Sequence, residues 1–119
     1  ITNGATAILT NRLLPVAIPQ CIVPDLPAAH ARLAHEIKGR PSTKVLTVGV
    51  LGTHGKTTAA LYTAAMLKRL TGKIAYWTTL GATEHQHRPT KKDESNPHSL
   101  TGWLARAAAE DCPVAVIEI

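Results

Sequence analysis

The sequence is poor in aromatic residues and in cysteine. Its 119 residues include no phenylalanine, two tyrosines, two tryptophans and two cysteines. The basic side chains are mostly scattered and are not interleaved with aromatic ones, so the pattern typical of a single-strand nucleic-acid binder is absent. Cys21 and Cys112 lie far apart without metal-type spacing, and we expect both to be reduced thiols.

Long hydrophobic runs are also absent. No apolar run approaches the ~20 residues that a membrane-spanning helix needs. The formal net charge of +5 suits a phosphorylated small molecule as well as nucleic acid, so the charge alone does not decide between them. We therefore expect a cytoplasmic protein that binds neither membranes nor nucleic acid.

The first forty residues predict a small α/β unit. Residues 5–9 and 16–23 are apolar enough for buried strands, and the second of these would bury Cys21 as a small apolar side chain. Asp25 is a candidate helix cap, with Pro27 in the first turn and Gly39 as the stop. The stretch "GRPSTK" then has the composition of a linker.

The rest of the chain alternates between predicted strands and helices. Continuous apolar strands between helices favour a parallel sheet that is covered on both faces, so the fold class is α/β. The polar stretch that follows residue 80 is expected to be an exposed loop. In chain order we predict strand 45–51, helix 56–70, strand 73–80, a loop over 81–99, a helix from about residue 99 to residue 110, and strand 114–118.

The junction of the first strand and helix of this part carries the clearest chemistry. Glycines in "GTHGKTT" let the backbone curl so that its N–H groups point inward, and the helix adds its positive N-terminal end. Lys56 would reach the β- and γ-phosphates, and the Thr57 hydroxyl would bind Mg²⁺. The predicted nucleotide contacts are Gly52, Thr53, His54, Gly55, Lys56, Thr57 and Thr58.

This loop does not match the strict phosphate-loop motif. The pattern G-x-x-x-x-G-K-[ST] requires glycine at position 50, where this chain has Val50. Gly49 lies one residue too early, and Gly52 lies inside the loop. The shorter pattern still stands between a strand and a helix, which is the context that phosphate binding requires. A strand-to-helix turn with an incidental Gly-Lys-Thr is the alternative.

A carboxylate ends the last predicted strand. Glu118 follows the apolar residues 114–117, and the ends of parallel strands meet at one edge of a sheet. Nucleotide-bound Mg²⁺ commonly takes a carboxylate ligand beside the loop hydroxyl. Glu118 is therefore a candidate metal ligand together with Thr57.

Several segments together resemble the ATP-dependent Mur ligases. They are "GVLGTHGKTTAALYTAAML", "GRPSTK", the pair Thr78-Thr79, "SNPHSL" and "VAVIEI". The arrangement is most similar to the tripeptide-forming members of that family. Two departures are His54, where those members have asparagine, and Asn96-Pro97, where the family often has threonine before proline.

The resemblance implies a function and a set of roles. Mur ligases join an amino acid to a UDP-N-acetylmuramoyl-peptide with ATP and Mg²⁺, through an acyl phosphate, in peptidoglycan precursor synthesis. Lys56 would be the catalytic residue that holds the γ-phosphate, Thr57 and Glu118 would bind Mg²⁺, and Thr58 would continue the phosphate contacts. Asn96 would lie in a loop that touches the UDP-sugar substrate.

The resemblance also implies a domain organisation. Residues 1–40 would be part of an N-terminal substrate domain, 41–44 a linker, and 45–119 part of a central ATP-binding domain. We expect the chain to be a fragment that has no ligase activity alone. The amino acid added and the oligomeric state are not indicated.

Other interpretations stay open at this point. His85, His87 and His98 could suggest zinc, although a solvated polar loop explains them better. A P-loop kinase or GTPase, a non-catalytic nucleotide-binding module, and a related ligase with a folate or polyamino-acid acceptor are the functional alternatives. The guanine-selecting N-K-x-D motif of a GTPase is absent from the sequence.

Overall fold

The computed structural model describes residues 4–84 and 97–119, and these form two sheets with helices. A small sheet and one helix come first, and a larger sheet flanked by two helices follows. The elements are β1 (Ile8–Thr10), β2 (Gln20–Ile22), α1 (Leu26–Ile37), a 3₁₀ helix (Pro41–Thr43), β3 (Leu46–Val50), α2 (Lys56–Thr71), β4 (Ala75–Thr78), β5 (Gly81–Glu84), α3 (Pro97–Ala109) and β6 (Val114–Glu118).

The start of α1 confirms the predicted cap. The side chain of Asp25 accepts a hydrogen bond from the Ala28 amide at 2.9 Å, and a proline occupies the first turn. This bond satisfies one of the amides that a helix start leaves without a partner. Ala34 of α1 is completely buried, while Leu33 and Ile37 of the same helix are largely exposed.

Replacing this cap should destabilise the helix by a measurable amount. We expect Asp25→Ala to lower the free energy of unfolding by about 1 kcal/mol, because the Ala28 amide loses its acceptor. Asp25→Asn keeps an acceptor oxygen and is the matched control. Denaturant unfolding followed by circular dichroism measures both, and equal stability of the alanine variant and the parent would contradict the assigned cap.

The two N-terminal strands are shorter and more exposed than predicted. β1 and β2 pair in parallel over three residues each. Cys21 is exposed, so the prediction that it is a buried apolar side chain is wrong. A two-stranded sheet of this length offers little surface under which side chains can be buried. Cys112, in contrast, is buried, and neither cysteine forms a disulfide within the described residues.

The predicted linker has a defined conformation. Pro41 opens the 3₁₀ helix and is buried, and the His35 ring lies 2.7 Å from the Ser42 hydroxyl. Arg40 has a left-handed backbone and an ion pair with Glu36 at 2.8 Å. These contacts tie the segment to the end of α1.

The larger sheet is mixed. Its strand order is β3-β6-β4-β5, with β6 parallel to both β3 and β4, while β5 is antiparallel to β4. The parallel strands confirm the α/β prediction. Residues 81–84 were expected to be exposed loop, and that expectation is wrong, because Ala82 and Thr83 are buried in β5.

Helices α2 and α3 cover opposite faces of this sheet. Alternate residues along β4 and β6 point to opposite sides, as the pleat of a strand requires. One face packs Ile74, Val114 and Val116 against Ala60 and Ala64 of α2. The other packs strand residues such as Trp77 and Ala115 against Trp103, Leu104 and Ala107 of α3.

The sequence pattern predicts that Leu61, Ala64, Ala65 and Leu67 form the buried side of α2, and the structure differs slightly from this. Ala64 and Leu67 contact the sheet as expected, and Leu61 is partly buried. Ala65 is exposed, and Ala60 takes its place in the core. The small alanine side chains let the helix lie close to the strands. Within residues 4–84 and 97–119, no helix has the length and apolar character needed to cross a membrane.

Candidate nucleotide and metal site

The site lies at the carboxyl-end edge of the larger sheet. β3 and β6 run parallel with Val50 opposite Glu118, and β4 runs in the same direction beside β6. Three strand ends therefore meet at one edge, where α/β sheets bind their ligands. The amide of Ile119 donates to the Val50 carbonyl at 3.0 Å and extends this pairing to the strand end.

The loop between β3 and α2 presents backbone amides at this edge. Gly55 is the residue before the helix, and its φ of 72° is in the left-handed region that glycine adopts without strain. No side chain in the described part of the chain caps the start of α2. The amides of its first turn are thus available to an anion, and the helix dipole favours negative charge there.

Lys56 is the first residue of α2 and lies beside the loop. Its side chain is partly buried and passes close to Gly52. If Gly52 carried a Cβ, that atom would lie 3.7 Å from the Lys56 Cγ. Within the described residues, no hydrogen bond or ion pair is formed by its ammonium group. The structure therefore places a positive charge at the loop, where a phosphate could accept from it.

Thr57, Thr79 and Glu118 form a hydrogen-bonded cluster next to the loop. The Thr57 hydroxyl donates to Glu118 Oε1 at 2.8 Å. The Thr79 amide donates to Glu118 Oε2 at 2.8 Å, and the Thr79 hydroxyl donates to the same oxygen at 3.2 Å. The two threonine hydroxyls are 3.0 Å apart, and Glu118 is only 6% exposed.

The oxygens of this cluster fit a magnesium ion. Mg²⁺ prefers octahedral oxygen ligands at about 2.0–2.1 Å, which puts adjacent ligand oxygens about 2.9 Å apart. The Thr57 and Glu118 oxygens are separated by 2.8 Å, so both could bind one ion after a small rotation of the hydroxyl proton. One carboxylate and a hydroxyl suffice when phosphate oxygens and water complete the shell.

The other predicted contacts of the loop are solvent-exposed. His54 Nδ1 lies 3.2 Å from the Thr53 hydroxyl, and Gly52 and Thr58 are exposed near the helix start. All seven predicted nucleotide contacts thus lie in one loop and the first turn of α2, where five are exposed and Lys56 and Thr57 are partly buried. Their contact with a nucleotide remains a prediction.

Some predictions fall outside the described structure. Asn96, proposed to touch the UDP-sugar substrate, is outside the described residues, and so are His85 and His87 of the zinc alternative. The basic residues of that stretch, Arg88, Lys91 and Lys92, are also outside it. Within residues 4–84 and 97–119, no three His, Cys, Asp or Glu side chains are grouped as a metal site.

Sequence reasoning did not identify Thr79 as a member of the site. The threonine lies 39 residues before Glu118, and the strongest contact uses its backbone amide, which any residue has. A signal was present in Gly81, which is the third residue after the end of β4 and permits a tight hairpin with only two residues in its turn. That hairpin returns the chain as β5 and holds Thr79 over the strand end.

Comparisons with known proteins agree with this arrangement. No protein-family model matches the chain. The UDP-N-acetylmuramoyl-L-alanyl-D-glutamate–2,6-diaminopimelate ligase of Geobacillus thermodenitrificans is 34% identical over 100 residues, covering 84% of this chain and 20% of the relative. The enzyme with the same name from Chlorobium phaeobacteroides is 32% identical over 100% of this chain and 24% of the relative.

The chain belongs to the Mur ligase family. A third relative, the UDP-N-acetylmuramoyl-L-alanyl-D-glutamate–L-lysine ligase of Staphylococcus haemolyticus, is 30% identical over 100% of this chain and 25% of its own length. These names describe additions to a dipeptide, which confirms the resemblance to the tripeptide-forming Mur ligases. The chain spans about a fifth to a quarter of the length of these relatives.

The fold is also that of a Mur ligase. A solved UDP-N-acetylmuramoyl-L-alanyl-D-glutamate–2,6-diaminopimelate ligase superposes with a TM-score of 0.76 and 22% identity, covering 99% of this chain and 24% of that structure. The similarity includes both the small N-terminal sheet and the larger sheet, because nearly the whole chain is covered.

Proposed function

We propose that this chain is the phosphate-binding part of an ATP-dependent ligase that adds an amino acid to a UDP-N-acetylmuramoyl dipeptide. The observation that carries the proposal is the Thr57–Glu118 pair, 2.8 Å apart beside an uncapped helix start. Mur ligase relatives named for this reaction support the choice of acceptor. The reaction would belong to peptidoglycan precursor synthesis in the cytoplasm.

The residues of the site have separate roles in this proposal. The loop amides and the α2 start hold the β- and γ-phosphates of ATP, and the Lys56 ammonium neutralises charge on the γ-phosphate. Thr57 and Glu118 would hold Mg²⁺, which would supply Lewis-acid stabilisation of the charge that develops during phosphoryl transfer. These groups act by positioning and charge neutralisation, which dominate phosphoryl transfer.

The proposed chemistry passes through an acyl phosphate. A carboxylate oxygen of the dipeptide attacks the γ-phosphorus, and the bond from that phosphorus to the ADP oxygen breaks. The amine of the incoming amino acid then attacks the acyl carbon, phosphate leaves, and the nitrogen loses a proton. The products are an amide, ADP and phosphate.

We also propose a division of the chain. Residues 1–40 would belong to a domain that binds the UDP-sugar substrate, and residues 45–119 would belong to the ATP-binding domain. The buried Pro41 and the contacts of Ser42 would then make residues 41–44 a short, ordered connection. Asn96 would lie near the UDP-sugar substrate.

Amino-acid-dependent ADP release tests the function. The intact ligase is incubated with ATP, Mg²⁺, UDP-N-acetylmuramoyl-L-alanyl-D-glutamate and either L-lysine or 2,6-diaminopimelate. We expect rapid ADP release and a new amide, measured by mass spectrometry, only when the dipeptide and one amino acid are both present. Hydroxylamine should trap the acyl phosphate as a hydroxamate when the amino acid is omitted.

Two outcomes would favour other functions. If ADP release were equally fast without dipeptide and amino acid, the result would indicate a nucleotide hydrolase or kinase rather than a ligase. Amide formation with a folate or polyamino-acid acceptor, but not with the UDP-linked dipeptide, would change the substrate class. The 119-residue chain is assayed in parallel, and we expect it to form no amide.

A further inference from the structure

The two carboxylate oxygens of Glu118 have different partners. Oε2 accepts both the amide and the hydroxyl of Thr79, at 2.8 and 3.2 Å. Oε1 accepts the Thr57 hydroxyl at 2.8 Å. The rotation of the carboxylate about its own axis is therefore fixed, with one oxygen directed to Thr79 and the other to the phosphate-binding loop.

Thr79 is itself held by the core of the domain. It opens the two-residue turn between β4 and β5, and the preceding Thr78 is buried with its hydroxyl bonded to the Gly81 carbonyl at 3.1 Å. The buried Trp103 indole donates to the Thr83 carbonyl of β5 at 3.2 Å. The hairpin is thus attached to α3, and the position of the Thr79 amide is determined by packing.

We propose that Thr79 is a positioning residue that orients Glu118 for magnesium binding. It acts through Glu118, without contacting the ion, and it leaves Oε1 next to the Thr57 hydroxyl. Partners of this kind fix the orientation of ligating side chains and raise metal affinity. The inference rests on the proposed function, since it requires that Glu118 and Thr57 hold a nucleotide-bound ion.

The test measures how much Mg²⁺ improves ATP binding. The magnesium increment is defined as the ratio of the ATP dissociation constants without and with Mg²⁺, measured by isothermal titration. We expect Thr79→Val to reduce this increment about fivefold to tenfold, because the hydroxyl bond is lost and the amide bond remains. Thr79 is exposed, so the substitution should leave the fold intact, as circular dichroism can verify.

Two matched variants separate positioning from general damage. Thr79→Ser keeps the hydroxyl and should keep the increment within about twofold of the parent value. Thr71→Val removes an exposed hydroxyl at the other end of α2, which bonds to the Leu67 and Lys73 carbonyls, and should also keep it. In a Glu118→Gln background, Thr79→Val should cause no further loss, because the two residues act as one unit.

The outcomes distinguish this inference from the proposed function. If the parent protein shows a magnesium increment and Thr79→Val retains it fully, Thr79 has no positioning role and the ligase proposal stands. The inference also fails if Thr71→Val lowers the increment as much as Thr79→Val does. If ATP binding of the parent protein is independent of Mg²⁺, both proposals fail.

Discussion

Lys56→Ala should weaken ATP binding about 50-fold, or about 2.3 kcal/mol. The substitution removes the ammonium group at the start of α2, which we expect to contact the β- and γ-phosphates. A hydrogen bond from a charged donor to phosphate is worth roughly twice a neutral one. Binding of AMP, which lacks both phosphates, should not change, so the ratio of ATP to AMP affinity is the quantity to measure.

Lys68→Ala is the matched control for this variant. Lys68 is an exposed lysine in the last turn of the same helix, so its loss changes the net charge equally but lies away from the loop. We expect Lys68→Ala to bind ATP like the parent protein. A similar loss in both variants would mean that overall charge, rather than a contact at the loop, attracts the nucleotide.

Glu118→Gln should remove most of the magnesium dependence of ATP binding. The substitution keeps the shape of the side chain and removes the negative charge that a hard cation prefers. We expect the ATP affinity in Mg²⁺ to fall about 50-fold, while affinity without Mg²⁺ stays equal or rises, because a carboxylate near the triphosphate is gone. A loss of ATP affinity that occurs with Mg²⁺ but not without it is the effect expected for a metal ligand.

A second glutamate provides the control for this result. Glu110 lies just after α3 and is not part of the proposed metal site. Its backbone carbonyl accepts a hydrogen bond from the Lys73 ammonium at 2.8 Å. Glu110→Gln makes the same change of charge and should leave both affinities unchanged. If Glu118→Gln lowered ATP affinity equally with and without Mg²⁺, Glu118 would be a structural residue rather than a metal ligand.

The sequence predicted those parts of the site that depend on residues close together in the chain. The loop from Gly52 to Thr58 follows an apolar strand and opens a helix, and each of these features is local. Glu118 was also predictable, because the last strand is continuously apolar and ends in one acid. The pairing of Val50 with Glu118 brings the two features together.

The parts that were missed depend on contacts between distant residues. Thr79 joins the site through its backbone amide, and no side-chain pattern reports such a contact. The segment that forms β5 was predicted to be loop, because it has only four residues and they are mixed in polarity. In the structure Ala82 and Thr83 are nevertheless buried, with Trp103 packed beside them. Burial in a fold of this kind is decided by the neighbouring elements.

The N-terminal errors have a related cause. Apolar residues at 16–23 predicted a buried strand, but only Gln20–Ile22 pair, and Cys21 is exposed. An apolar sequence shows that a segment can be buried, but not that other elements cover it. The two-stranded sheet and α1 bury only part of the apolar surface of residues 16–23. In the larger sheet, helices cover both faces and bury the apolar strand residues, so the predictions there were closer.

The most direct test of the account is a titration of the chain with ATP and with AMP in the presence of Mg²⁺. If the loop after β3 grips the triphosphate, ATP should bind at least about 100-fold more tightly than AMP, since AMP lacks the phosphates that Lys56, the loop amides and the metal would contact. Equal affinity for the two nucleotides would contradict the account.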